Sequence, residues 1–205
     1  RYRDPQVAQA IFDRIVEQAI AKGLVEGSTL YTDSTHLKAN ANKNKYDLAL
    51  ATKSRADYWD ALDAAIDADR ALHGKKPLKP EPREPETKQT KISRTDPDAG
   101  YMVREGKPKG FFYLDHRTVD GRCGIVTDTF ATPANVHDSI PYLGRLDRQR
   151  ARFGFDVKTV GLDAGYATAA IAKGLEDRGV IGVTGYRNPT PPRDGMMRKT
   201  KFVYE

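Results

Sequence analysis

The sequence predicts an α/β fold: a mixed sheet flanked by helices, with a helical and Pro/Lys-rich insertion after the first core strand. Three observations carry this. A single short strand-like run follows the first helix, and a hairpin pattern lies far downstream around Asp120-Gly121. Beyond the hairpin, helical and strand periodicities alternate. Between the two places the chain turns polar, charged and Pro-rich, a composition that cannot build a core of its own.

The first helix has Asp4 as N-cap, Pro5 at its first position and Gly23 as its stop. Val7, Ile11, Ile15 and Ala19 form one stripe, widened by Ala8, Phe12, Val16 and Ile20. After a turn at Glu26-Gly27, Ser28–Thr32 reads as a strand ending at Asp33. His36–Tyr46 is polar and basic and reads as loop. A second helix is expected from about Asp47 to Leu72, ending at His73-Gly74. Lys75–Lys91, with Pro77, Pro80, Pro82 and Pro85 among lysines and glutamates, favours an extended linker.

Order is expected to resume near Ser93. Gly110–Val119 and Arg122–Ala131 read as two strands joined by the hairpin signal Asp120-Gly121. A helix should begin at Asn135–Asp138 and reach Phe153, with Ile140, Leu143 and Leu146 inward and Arg145, Arg148, Arg150 and Arg152 outward. Val157–Leu162 is a strand ending at Asp163. Ala167–Arg178 is a helix closed by Gly179, and Val180–Thr184 is a further strand. Phe202–Tyr204 begins another. The expected division is 1–46 as the start of one domain, 47–92 as insertion, and 93–205 as the remainder of that domain. A hairpin followed by alternating helices and strands implies an antiparallel portion and then parallel strands.

Composition narrows the partners. The chain has 34 basic and 28 acidic residues, a net charge of +6 and a pI near 9.3, which suits a polyanion. Cys123 is the sole cysteine, so a disulfide framework and a cysteine-based zinc site are excluded. It reads as a small buried residue in a strand. No apolar run reaches membrane-spanning length and no signal-peptide pattern is present, so the expected compartment is cytoplasmic. His36, His73, His116 and His137 are scattered without ligand spacing. Gly106-Lys107 lacks the rest of a phosphate-binding loop, and Ser34 has no base nearby in sequence.

The chemistry-bearing candidates are Asp33 and Asp163, each closing a short apolar strand. Functional groups gather at the carboxyl ends of parallel strands, and adjacent strands lie about 4.8 Å apart. Two such carboxylates could share a divalent ion of the Mg²⁺ type, which keeps several waters. Each aspartate alone is more readily a turn-former or cap, and Asp163 could cap the helix that follows; the pair at equivalent strand ends shifts the balance. Asp120 is better explained by its turn with Gly121, and Asp138 by capping.

The stretch from Tyr31 to Asn40, Tyr-Thr-Asp-Ser-Thr-His-Leu-Lys-Ala-Asn, resembles the first-aspartate motif of bacterial insertion-sequence DDE transposases. Thr95-Asp96-Pro97-Asp98-Ala99-Gly100-Tyr101 and Thr132-Pro133-Ala134-Asn135-Val136-His137-Asp138-Ser139 are similar to further signatures of that group. Gly161-Leu162-Asp163-Ala164-Gly165-Tyr166 is similar to its second-aspartate motif. The resemblance implies an RNase H-like domain with Asp33 and Asp163 as catalytic, metal-holding residues for Mg²⁺ (or Mn²⁺). It implies DNA strand cleavage and transfer without a covalent protein–DNA intermediate. The implied partner is double-stranded DNA, transposon ends and target, bound by a homo-oligomer in a bacterial, nucleoid-associated setting.

The family's third carboxylate, a glutamate on a later helix, has no counterpart here. Glu205 is not assigned that role, and Glu176 lies on the wrong helix. The chain is expected to lack that helix and an N-terminal DNA-binding region. Lys38, Lys43, Lys45 and Arg187 are the candidate phosphate contacts. The competing readings are another RNase H-like nuclease or resolvase, and a degenerate DNA-binding remnant.

Overall fold

The computed structural model describes residues 5–52, 56–79, 87–104, 106 and 108–185. Asp4, Pro80, Pro82, Pro85, Arg187, Phe202–Tyr204 and Glu205 lie outside the described residues. In chain order the elements are α1 (Pro5–Ala21), β1 (Thr29–Lys38), β2 (Tyr46–Thr52), α2 (Ala56–Leu72), β3 (Thr87–Ser93), β4 (Gly100–Met102), β5 (Gly110–Asp120), β6 (Val126–Pro133), α3 (Tyr142–Phe153), β7 (Thr159–Leu162), α4 (Ala169–Glu176) and β8 (Ile181–Thr184).

The chain forms two compact units: one of residues 1–36, 114–132 and 136–205, the other of 37–113 and 133–135. In the first, the strand order is β6, β5, β1, β7, β8. β1 and β7 run parallel with Thr29↔Thr159 through Thr32↔Leu162 in register, and β7 and β8 run parallel with Thr159↔Ile181 through Leu162↔Thr184. β5 runs antiparallel to β1, since Gly121 N–H donates to Thr29 O (2.8 Å) while the Thr32 and Thr118 hydroxyls meet at 2.8 Å. This is the expected mixed sheet, with helices packed on it.

Period-two alternation sorts the strand residues. Leu30, Val160 and Leu162 are buried with Tyr142 and Leu146 of α3 and Ile171 and Leu175 of α4. Tyr31, Ile181 and Val183 are exposed. Tyr31 lies across Gly161, where a Cβ would come within 2.5 Å of its ring.

In the second unit, β2 and β3 pair antiparallel from Tyr46↔Ser93 to Thr52↔Thr87, and β4 pairs with the first part of β5. Lys91 sits over the rings of Tyr46 (4.1 Å) and Tyr101 (4.6 Å).

Several local expectations are corrected. β1 runs past Asp33 to Lys38, so Asp33 sits where the ladder with β7 ends, not where the strand ends. The segment expected to open the second helix is strand β2, because it finds a partner in β3, itself placed where linker was expected. In α1, Val16 and Ala19 are buried and Phe12 and Ile20 partly so, whereas Val7, Ile11 and Ile15 are exposed, so the stripe faces the core mainly in its C-terminal half.

The hairpin loop is also longer than two residues: Gly124 takes φ 68°, and Asp120 N–H reaches Ile125 O. Asp120 does hold the Arg122 N–H, yet its other oxygen accepts from Glu26 and Gly27, tying down the turn before β1. Cys123 lies in this loop and is exposed.

Candidate functional site

The β1–β7 ladder ends at Thr32↔Leu162, and the next residues along the two chains are Asp33 and Asp163. Both are exposed, whereas Thr32 and Leu162 just before them are buried. Backbone geometry orients each carboxylate. Asp33 Oδ1 accepts from Ser34 N–H at 2.7 Å, and Asp163 Oδ1 accepts from Gly165 N–H at 2.8 Å. The capping alternative for Asp163 therefore holds in part. It caps the short 3₁₀ turn Ala164–Tyr166, while α4 is capped by Thr168, whose hydroxyl accepts from Ile171 N–H. Such a cap engages one oxygen of Asp163 and is compatible with a ligand on the other.

Tyr166 ends that turn. It is fully buried, packs edge-on against Tyr142 with centroids 5.3 Å apart, and its hydroxyl has no hydrogen-bond partner among the described residues. Burial pushes its pKa up, and the charges of Asp138, Asp163 and Asp33 add to this against the opposing Arg145. One buried hydroxyl thus senses both sequence-predicted acids and a third.

That third acid, Asp138, does not cap α3 as expected. The helix starts at Tyr142 with Pro141 at its N-cap and no side-chain cap, because the intervening residues form turns. Asp138 is instead partly buried and acts electrostatically on Tyr166 and His116. Its place within a family-like signature was the available signal.

Behind the acids lies a polar core that sequence reasoning missed. Arg145 is 2% exposed, not outward. Its Nε donates to Asp128 Oδ2 at 2.7 Å, and Nη2 reaches His116 O and Thr118 Oγ1, each at 3.3 Å. Arg148 donates to the other oxygen of Asp128, at 2.7 Å. The outward assignment fails because Asp128, itself buried on β6, demands cationic partners from the facing helix. Ile140, expected inward, is exposed since it precedes the helix.

Thr127 and Gln149 add a hydroxyl–amide bond of 2.9 Å. His116 Nε2 pairs with Thr132 Oγ1 at 2.8 Å, and burial, aided by Arg145, lowers its pKa.

Lys38, Lys43 and Lys45 are exposed in the second unit; Lys38 closes β1 and the others lie in the turn before β2. In that unit the Asp96 and Asn135 signatures meet. Asp96 accepts a 2.6 Å bond from Tyr113 O–H, which with burial pushes the tyrosine up to about 12. Gly100 packs against the backbone of Ala134 and Asn135, leaving no room for a Cβ. Glu176 is exposed on α4 beside Lys173 (3.5 Å).

Asp33 and Asp163 each follow the last paired residue of their strand and are open to solvent, and carboxylates are the donor type a hard divalent cation takes. Among the described residues no group of three or more His, Cys, Asp or Glu could hold a metal ion. No described helix is long and apolar enough to cross a membrane.

No protein-family model matches the chain, and no curated protein matches it. Among solved structures, a crystal structure of the Mos1 mariner paired end complex with Mn is similar, at 12% sequence identity and a TM-score of 0.35. The similarity covers 83% of this chain and 39% of that one, so the chain spans well under half of its length.

Proposed function

We propose that this chain is part of a DDE transposase acting on double-stranded DNA, with Asp33 and Asp163 as the first two acids of its active site. The observation that supports this most is the parallel β1–β7 register, whose last paired residues, Thr32 and Leu162, immediately precede the two aspartates in the chain. The motif resemblance around each aspartate supports it independently.

A bound Mg²⁺ or Mn²⁺ would supply Lewis-acid stabilisation of the phosphodiester and a lowered pKa for an attacking water or 3′-hydroxyl. The chain's own residues do the rest. Asp33 and Asp163 provide fixed negative oxygens, oriented by the Ser34 and Gly165 N–H groups. Lys38, Lys43, Lys45 and Arg187 position backbone phosphates without reading bases. Residues 47–92 form an insertion into the catalytic domain, and the protein works as a homo-oligomer on DNA in the bacterial cytoplasm.

Manganese binding followed by electron paramagnetic resonance tests the centre. Asp33→Asn and Asp163→Asn should each weaken Mn²⁺ binding about tenfold or more while leaving the fold intact. Unchanged Mn²⁺ affinity in both variants would sink the proposal.

The absence of a three-ligand group among the described residues favours a second reading, a DNA-binding remnant without cleavage. Incubation with labelled duplex and Mn²⁺ separates the cases: joined products indicate a transposase, hydrolysed ends alone a nuclease or resolvase, and binding without cutting the remnant.

A further inference from the structure

The acid pair has a neighbour on its other side. Gly121 N–H bonds Thr29 O, and three residues along each strand the Thr32 and Thr118 hydroxyls meet on the buried face. One more step in the same antiparallel register sets Arg117 opposite Asp33, and two further steps set Asp115 opposite Thr35. Residues directly opposite in an antiparallel pair share a face. Arg117 therefore stands on the Asp33 side of the sheet, with β1 between it and β7.

Its charge is anchored. Nε and Nη2 both converge on Asp115 Oδ2, at 2.8 and 2.7 Å, and Asp115 is nearly buried, with 11% of its side chain exposed. Arg117 keeps 62% exposure, so it stands open to solvent on the strand next to Asp33. An exposed ion pair would contribute little to stability. An arginine steered by a buried carboxylate, next to a pair of exposed ones, is instead pre-oriented for an anion.

We propose that Arg117 contacts a phosphate oxygen of the DNA strand held at Asp33 and Asp163, and that Asp115 is the positioning residue that aims it. This rests on the metal-centre reading above. The planar guanidinium suits a phosphate, offering parallel N–H donors where lysine offers a point charge. A strand spacing of about 4.8 Å places this contact one strand from Asp33 and two from the end of β7.

The test uses the full chain, a fluorescein-labelled duplex and anisotropy, in Mn²⁺ and in EDTA. Mn²⁺ should tighten wild-type binding. Arg117→Gln should lose about tenfold of that Mn²⁺-dependent gain, the scale of a charged hydrogen bond, and reduce the salt slope by about 1. Arg14→Gln, an exposed arginine on α1 paired with Glu17, should lose neither. Because Arg117→Gln leaves Asp115 unpaired, the double variant Asp115→Asn/Arg117→Gln is measured too, and should show the same loss.

A wild-type Mn²⁺-dependent gain in Arg117→Gln, its recovery in the double variant, or an equal loss in Arg14→Gln would each overturn the assignment. Manganese affinity without DNA tells the two failures apart. If Asp33→Asn weakens it while Arg117→Gln leaves DNA binding untouched, only the Arg117 contact fails. If Asp33→Asn leaves it unchanged, the metal-centre reading fails and this one with it.

Discussion

The hydroxyls of Thr32 and Thr118 meet at 2.8 Å inside the core, each one residue away from an exposed charged group of the candidate site, Asp33 and Arg117. Thr118 Oγ1 also receives Arg145 Nη2 at 3.3 Å and Gln149 Nε2 at 3.4 Å. Thr118→Val should therefore strand several buried polar groups at once and cost about 1–3 kcal/mol, with Thr118→Ser retaining most stability. Urea denaturation measures both; equal stability of the valine and serine variants would remove the network from the account.

Buried and exposed ion pairs should separate clearly. Arg145 and Asp128 are each 2% exposed at the side chain, so Asp128→Asn leaves a buried cation short of its counter-charge, at about 3–5 kcal/mol. Asp147 pairs with Arg178 at 2.6 Å but is 46% exposed, and Asp147→Asn should cost only about 0.2–1 kcal/mol. Similar costs for both would contradict the burial assigned to Asp128.

Two glycines predict opposite signs. A Cβ on Gly100 would come within 2.5 Å of Ala134 N and 2.7 Å of Asn135 N, both backbone atoms. Gly100→Ala should thus cost about 1–3 kcal/mol. Gly144, inside α3, has open space around its would-be Cβ, so Gly144→Ala should gain about 0.5–1 kcal/mol from reduced chain entropy. Thermal melts of the two variants should move in opposite directions.

Stability should fall toward both ends of the pH scale. Burial holds His116 neutral in the fold, whereas the unfolded chain takes up its proton below the ordinary value of 6.5; its contribution is present above that pH and is lost as pH falls. Tyr113, Tyr142 and Tyr166 have raised values, so the unfolded chain ionises above pH 10 while the fold stays neutral, and stability drops as pH rises further. Unfolding free energy against pH checks both limbs; His116→Gln should flatten the acid limb alone.

What could be read from the sequence was the part that local patterning encodes. Strand runs around Leu30 and Val160, the turn at Asp120-Gly121, and the aspartates beside each apolar run were all visible one segment at a time. β2 was not, because Leu48 and Leu50 alternate with alanine and their strand state depends on pairing with Gln89 and Lys91, some forty positions away. Arg145 looked solvent-facing because arginine usually is; only Asp128, on a different element, explains its burial. Arg117 carried no signal at all, since its importance comes from a cross-strand register and not from its neighbours in sequence.

The parallel pairing of Thr29–Thr32 with Thr159–Leu162 has a consequence for how the protein matures. Neither aspartate can meet the other until two segments far apart in the chain have closed onto each other, and such long-range parallel pairing is among the slower steps in folding. A shift of one residue in this register would also turn the buried Val160 and Leu162 toward solvent. Metal binding at the proposed centre should therefore arise late, which would make it a reporter of completed folding.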